Sequence, residues 1–176
     1  MSVASSCRGG AYRAHALNVA SSADALLRIE GGGVAKACGT DERCAQVFAA
    51  MGYDGWALNA DDIASSSLNT FINTVGSKPV ASNYATGNTV SFANLGDAVL
   101  LAVSSTSSKT PTYRGAIAVA LAEARDAGID FETTPVILSV NGISDAETQD
   151  ILGDETASGA TGSSLSRFAY SWHRST

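Results

Sequence analysis

The most orderly patterning in the chain lies in residues 43–63, RCAQVFAAMGYDGWALNADDI. Cys44, Val47, Phe48 and Met51 recur at helical spacing, and the run stops at Gly52. Residues 53–58 then read as a buried strand and lead into a polar turn, Asn59-Ala60-Asp61-Asp62. A helix, a glycine stop, a strand and a loop with two carboxylates is how an α/β protein presents chemistry at the carboxyl edge of its sheet. The segments on either side keep the alternation going. Residues 11–21 predict a helix opened by Gly9 and Gly10, and residues 24–30 predict a short buried strand ended by Gly31, Gly32 and Gly33. Thr40 or Asp41 caps the helix that runs to Met51. Residues 65–75 place Leu68, Phe71, Ile72 and Val75 on one helical face, with Gly76 as the stop.

The second half predicts a strand over residues 78–84 and a hairpin of residues 89–92 and 98–104 around Asn94-Leu95-Gly96-Asp97. A helix over 113–127 carries Ile117, Ala120, Leu121 and Ala124 as its stripe, and Gly128 ends it. Residues 134–140 form an apolar strand, and Ser144 with Glu147 at the third position makes a capping box for a further helix. The fold class that follows is α/β, a layered sheet with flanking helices over residues 1–152. Residues 153–176 add a Gly/Ser/Thr-rich loop and a C-terminal arm of the same domain. In that arm Phe168, Tyr170 and Trp172 alternate and are flanked by Arg167 and Arg174. Two readings stand for it: a last strand folded back on its own sheet, or an anchor on another subunit, since aromatics and Arg carry interface energy.

Composition narrows the function classes. Charged residues are only 16% of the chain, against the usual ~25%, so much of the surface is small and neutral. A net charge of −6, with 11 scattered basic residues, argues against nucleic acid or an anionic membrane surface as partner. No apolar run reaches the roughly 18–20 residues of a membrane span. The opening MSVASSCRGG lacks the apolar middle of a signal peptide, which leaves a cytosolic chain or a mature exported one. Cys38 and Cys44 bracket a short turn; they are either a pair in an oxidising compartment or free semi-buried thiols, and Cys7 has no evident mate. The triple glycine resembles a phosphate loop only superficially, because Val34-Ala35 follows where Lys-Ser/Thr is needed. Trp56 reads as core, with an indole N–H that needs a partner. His15 lies in a predicted helix, and no Gly-x-Ser-x-Gly accompanies His173.

Taken in order, GGAYRAHALN, ADALLRIEGG, MGYDGWALNADD, SKPVASNY, TPTYRGAIAVALAEARDAGID and PVILSVNG resemble the amino-terminal domain of the 5′-nucleotidase branch of the calcineurin-like metallophosphoesterases. The match is colinear over roughly residues 9–152. Such enzymes bind two divalent metals through Asp, His and Asn at strand ends, and the metals activate a water or hydroxide. Transferred to this chain, the family's Gly-Asp aspartate falls on Gly32. The Asn, His and Glu of Gly-Asn-His-Glu fall on Ala60, Asp61 and Asp62, and the His of Leu-Ser-His falls on Val140. The strand with the opening Asp-x-His would precede residue 9, and no Gly-His-x-His follows residue 152, so the fold is incomplete relative to the family.

The resemblance therefore implies a degenerate relative that has lost its catalysis: no cofactor, no metal, and a role as a structural or interaction subunit of an assembly, by self-association or with a protein partner. Relatives of this type are commonly exported, which favours an extracytoplasmic setting. Two alternatives remain. One is a phosphate-ester hydrolase with a site rebuilt on Asp61 and Asp62, with Asn59 or Asn141 assisting. The other is a small-ligand binding module in the vestigial cleft. The plainest role for Asp61 and Asp62 is a solvated turn, or a cap for the helix beginning near Ser65.

Overall fold

The computed structural model describes residues 27–84, 86–105, 112–152 and 168–173. The predicted helix over residues 11–21, His15, Cys7 and the segment 153–167 lie outside the described residues, as do Arg167 and Arg174. Among the described residues no helix is long and apolar enough to cross a membrane.

The architecture is α/β. Strand β1 (Ile29–Glu30) leads through the three glycines into helix α1 (Val34–Cys38), and α2 (Glu42–Ala50) follows. Strand β2 (Gly55–Trp56) precedes the one-turn helix α3 (Ala60–Ile63) and α4 (Leu68–Val75). The second half comprises β3 (Phe92–Asn94), β4 (Val99–Ser104), α5 (Tyr113–Asp126), β5 (Val136–Asn141), α6 (Asp145–Leu152) and β6 (Phe168–His173). β1 and β2 pair in parallel, while β3, β4, β5 and β6 form a four-stranded sheet in that order. Only the β3–β4 pair is antiparallel. Parallel neighbours need crossovers, and α5 lies between β4 and β5 as α6 lies between β5 and β6.

Local chemistry explains most element ends. Asp41, not Thr40, caps α2 by accepting from the amides of Arg43 and Cys44. Gly76 and Gly96 take positive φ, 76° and 85°, where a helix stops and the hairpin turns. In that hairpin Asn94 Oδ1 accepts from the Gly96 amide and Leu95 N–H bonds to Ala98. Thr112 caps α5, and Ser144 and Glu147 make the reciprocal bonds of a capping box at α6. Tyr113 begins α5; its own burial and then the Glu147 carboxylate push its hydroxyl above the ordinary phenol value.

Other elements are shorter than their apolar runs. Residues 65–67 make a turn closed by Ser65 and Ser67, so α4 starts at Leu68 and not at Ser65. The segment predicted as a strand over 78–84 is reduced to bridges at Val80. Beyond it, polar side chains supplement a single backbone bond to β4, from Ser82 N–H to the Ala102 carbonyl. Ser82 Oγ accepts from the Ala102 amide, while the Asn83 side chain accepts from the Ser104 amide and donates to the Ser104 carbonyl.

Among the described residues three apolar clusters result. One, under α1, α2 and α4, holds Phe48, Trp56, Leu58, Phe71 and Ile72. Phe48 and Phe71 both lie against Trp56, with ring centroids 5.6 Å apart in each pair. The second, under α5, holds Val99, Leu101, Val103, Ala120, Val136, Leu138 and Val140. A third, small cluster joins Ala57, Val80, Leu100 and Ala102. Trp56 is core as expected, and its indole N–H donates to Ser77 Oγ at 3.0 Å. Because water can reach Ser77, Ser77→Ala is expected to lower stability by only about 0.5–1 kcal/mol in urea denaturation.

The cysteine alternatives resolve in favour of pairing: Cys38 and Cys44 form a disulfide, with Cα atoms 5.4 Å apart. The C-terminal arm enters the sheet as a strand. β6 pairs in parallel with β5, setting Phe168, Tyr170 and Trp172 beside Val136, Leu138 and Val140.

Candidate functional site

The carboxyl ends of β1 and β2 bring together four of the five positions onto which the sequence resemblance placed former ligands: Gly32, Ala60, Asp61 and Asp62. The fifth, Val140, sits apart in the cluster under α5. The predicted polar turn is in fact the start of a helix. Asn59 caps α3, its Oδ1 accepting from the Asp62 amide at 2.9 Å, and the Asp62 carboxylate accepts in return from the Asn59 amide at 3.2 Å. This is a capping box whose third position is Asp, and its two partners fix the chain direction after β2.

The Asp62 carboxylate also reaches across the sheet edge. Its Oδ2 accepts from the Gly33 amide at 2.5 Å, and its Oδ1 accepts from the Lys36 amide at 2.8 Å. Asp62 is 1% exposed. One side chain thus satisfies three backbone donors from two segments, and it sits where the helix dipole of α1 favours a negative charge. The capping role named for the Asp pair therefore holds for Asp62, but on α3 and α1 and not on the helix after Ser65. Asp61 is exposed, and Ala60 is half-buried with no donor to offer.

The glycines are required by this arrangement. Gly32 and Gly33 have φ of 117° and 93°. A Cβ on Gly32 would lie 2.8 Å from the Asn59 backbone nitrogen and 3.2 Å from its Cβ. The triple glycine is thus an anion-receiving turn whose anion is supplied by the chain itself. The sequence carried half of that signal in the glycine run before α1. The other half, the identity of the carboxylate 29 residues on, has no local trace.

Tested against a two-metal centre, these residues do not fit. Such a centre needs several anionic or imidazole ligands converging on cations about 3.5–4 Å apart. Gly32, Ala60 and Val140 supply none, and both oxygens of Asp62 already hold backbone amides. Among the described residues no group of three or more His, Cys, Asp and Glu is placed to hold a metal ion. Nor are the auxiliary residues poised for chemistry. Asn59 is occupied as a cap, and Asn141, buried at the end of β5, donates to Ser139 Oγ at 3.0 Å. His173 is the last residue of β6, registered beside Asn141 and, through it, Ser104. Comparison with protein-family models, with curated proteins and with solved structures finds no match to this chain.

Proposed function

We propose that this chain is a non-catalytic α/β domain, built on a metallophosphoesterase-like scaffold and acting as a structural or interaction subunit of a protein assembly. The observation that supports this reading is the state of Asp62. The one carboxylate at a former ligand position that is buried is also fully engaged by the Gly33, Lys36 and Asn59 amides. Recruiting it to a metal would strip those amides of their acceptor in a buried setting, at a cost of about 1–3 kcal/mol for each group left unsatisfied. Although Phe168, Tyr170 and Trp172 pair with β5 of their own sheet, β6 is the last strand in its order, and the contacts of the assembly are assigned to this strand with Arg167 and Arg174, by residue type. An extracytoplasmic setting suits the Cys38–Cys44 disulfide, since such bonds persist where the surroundings oxidise.

Two measurements test the proposal. Equilibrium dialysis against Mn²⁺ and Zn²⁺ is expected to show no stoichiometric binding, and hydrolysis of p-nitrophenyl phosphate is expected to stay at background. Bound metal together with activity that disappears in Asp61→Ala or Asp62→Ala would favour the rebuilt hydrolase instead. Light scattering on the full chain and on a form carrying Arg167→Ala and Arg174→Ala, which keeps β6 in the sheet, addresses the subunit role. Association of the full chain, weakened in the double variant, is the expected result; a monomer in both forms would remove the assigned contacts.

A further inference from the structure

We infer that the Cys38–Cys44 disulfide is a redox latch on α1, and that its reduction by a dithiol frees this helix and the Asp62 carboxylate beneath it while the rest of the domain stays folded. At five residues α1 is far too short to persist by itself, because nucleation is unfavourable and few internal hydrogen bonds follow. Bonds at its two glycine ends run from Ala37 N–H to the Gly33 carbonyl and from Gly39 N–H to the Ala35 carbonyl. Its fully buried side chains are Ala35 and Cys38, both small, and Val34 packs half-buried against the same cluster.

The helix is therefore held chiefly from its two ends. Asp62 binds the amides at its start, and the disulfide ties its last residue to Cys44 in the first turn of α2. α2 is anchored separately, by Phe48 against Trp56 and Phe71. Cutting the covalent tie leaves α2 in place and leaves α1 held by Asp62 and by the packing of Val34, Ala35 and Cys38. The freed segment uncovers the carboxyl ends of β1 and β2 and part of the cluster that contains Leu58 and Leu68.

The chemistry balances with the dithiol as the named co-reactant. Cys44 is half-buried and Cys38 buried, so Cys44 Sγ is the more accessible sulfur. A thiolate of the dithiol attacks it, the Sγ–Sγ bond breaks, and Cys38 departs as thiolate and takes up a proton. The second thiol of the reductant then displaces Cys44 from the mixed disulfide. The protein gains two electrons and two protons, and the dithiol leaves as its own disulfide.

The test is site-resolved amide hydrogen exchange on the full chain carrying Cys7→Ser, so that the third thiol cannot exchange with the pair. Exchange is measured oxidised, after dithiothreitol, and after reoxidation. The expected result is at least about tenfold faster exchange at Gly33, Lys36, Ala37 and Gly39 on reduction, unchanged protection at Leu101, Val103, Leu138 and Val140, and recovery on reoxidation. Unchanged exchange at Gly33 and Lys36 would overturn the latch, because α1 would then not need it. A comparable loss of protection in β4 and β5 would also overturn it, because the bond would then hold the whole fold and not one helix. The Cys38→Ser/Cys44→Ser pair in the same background must reproduce the reduced pattern; protection like that of the oxidised chain would count against the proposal.

Discussion

Replacing Asp62 by alanine is expected to lower the unfolding free energy by about 3–5 kcal/mol, read from the midpoint shift in urea denaturation at neutral pH. The carboxylate accepts from three amides, at Gly33, Lys36 and Asn59, and is 1% exposed. Alanine leaves all three donors without their acceptor, and the glycine turn offers no other. Asp62→Asn separates charge from shape. Asparagine keeps one oxygen but turns an NH₂ towards an amide donor, so it should recover less than half of the loss. Asp61→Ala is the internal control: Asp61 is exposed and neighbours the same turn, and its loss should change stability by less than about 0.5 kcal/mol. Equal effects at the two positions would mean that the short hydrogen bonds at Asp62 contribute little, and that the lock is not what holds this edge of the sheet.

Asp62 also shows where sequence reasoning reaches and where it stops. Features written in adjacent residues were legible. Asp41 before the α2 stripe, Asn94 two residues before Gly96 and Ser144 three before Glu147 all act as those spacings require. Each is a side chain bonding to its own neighbourhood, so the pattern and its cause occupy the same few residues. The α/β alternation was legible for a similar reason, through the long apolar strands β4 and β5 and the helical stripe of α5.

What escaped depends on pairs far apart in the chain or on competition between short elements. The six-residue stretch read as a strand over 53–58 makes only a two-residue ladder, Ile29 with Gly55 and Glu30 with Trp56. Below it Asp54 takes the Arg28 amide on its side chain and closes the ladder. Gly55 itself is pressed against Leu100, whose Cδ2 lies 2.9 Å from where a Cβ would sit. Asn59-Ala60-Asp61-Asp62 reads as a turn because Asn and Asp serve turns and helix caps equally well. Only the reach of Asp62 to Gly33 decides between them. The spacing of Cys38 and Cys44 allowed a bond without requiring one, since pairing depends on how α1 and α2 fold towards each other.

Placing at position 32 the aspartate that the metallophosphoesterase resemblance would call for, Gly32→Asp, is expected to destabilise the domain by about 2–4 kcal/mol and to give no stoichiometric metal binding. Gly32 has φ of 117°, and an added Cβ would lie 2.8 Å from the Asn59 backbone nitrogen. That neighbour is backbone inside the Asn59–Asp62 capping box and cannot rotate away as a side-chain tip could. Any carboxylate at position 32 therefore arrives only by displacing the turn that Asp62 organises. Gly32→Ala isolates the contribution of the Cβ and should account for most of the loss. Thermal melts with and without Mn²⁺ supply the second readout, because a cation bound only by the folded state raises the melting temperature as its concentration exceeds its dissociation constant. A variant as stable as the parent, with a melting temperature that climbs on adding Mn²⁺, would mean that the edge of this sheet still accommodates a metal ligand. The lack of a ligand at position 32 would then be a matter of side-chain identity alone. A destabilised variant indifferent to metal places the obstacle in the backbone: it is closed around Asp62, and a single substitution at position 32 does not open it.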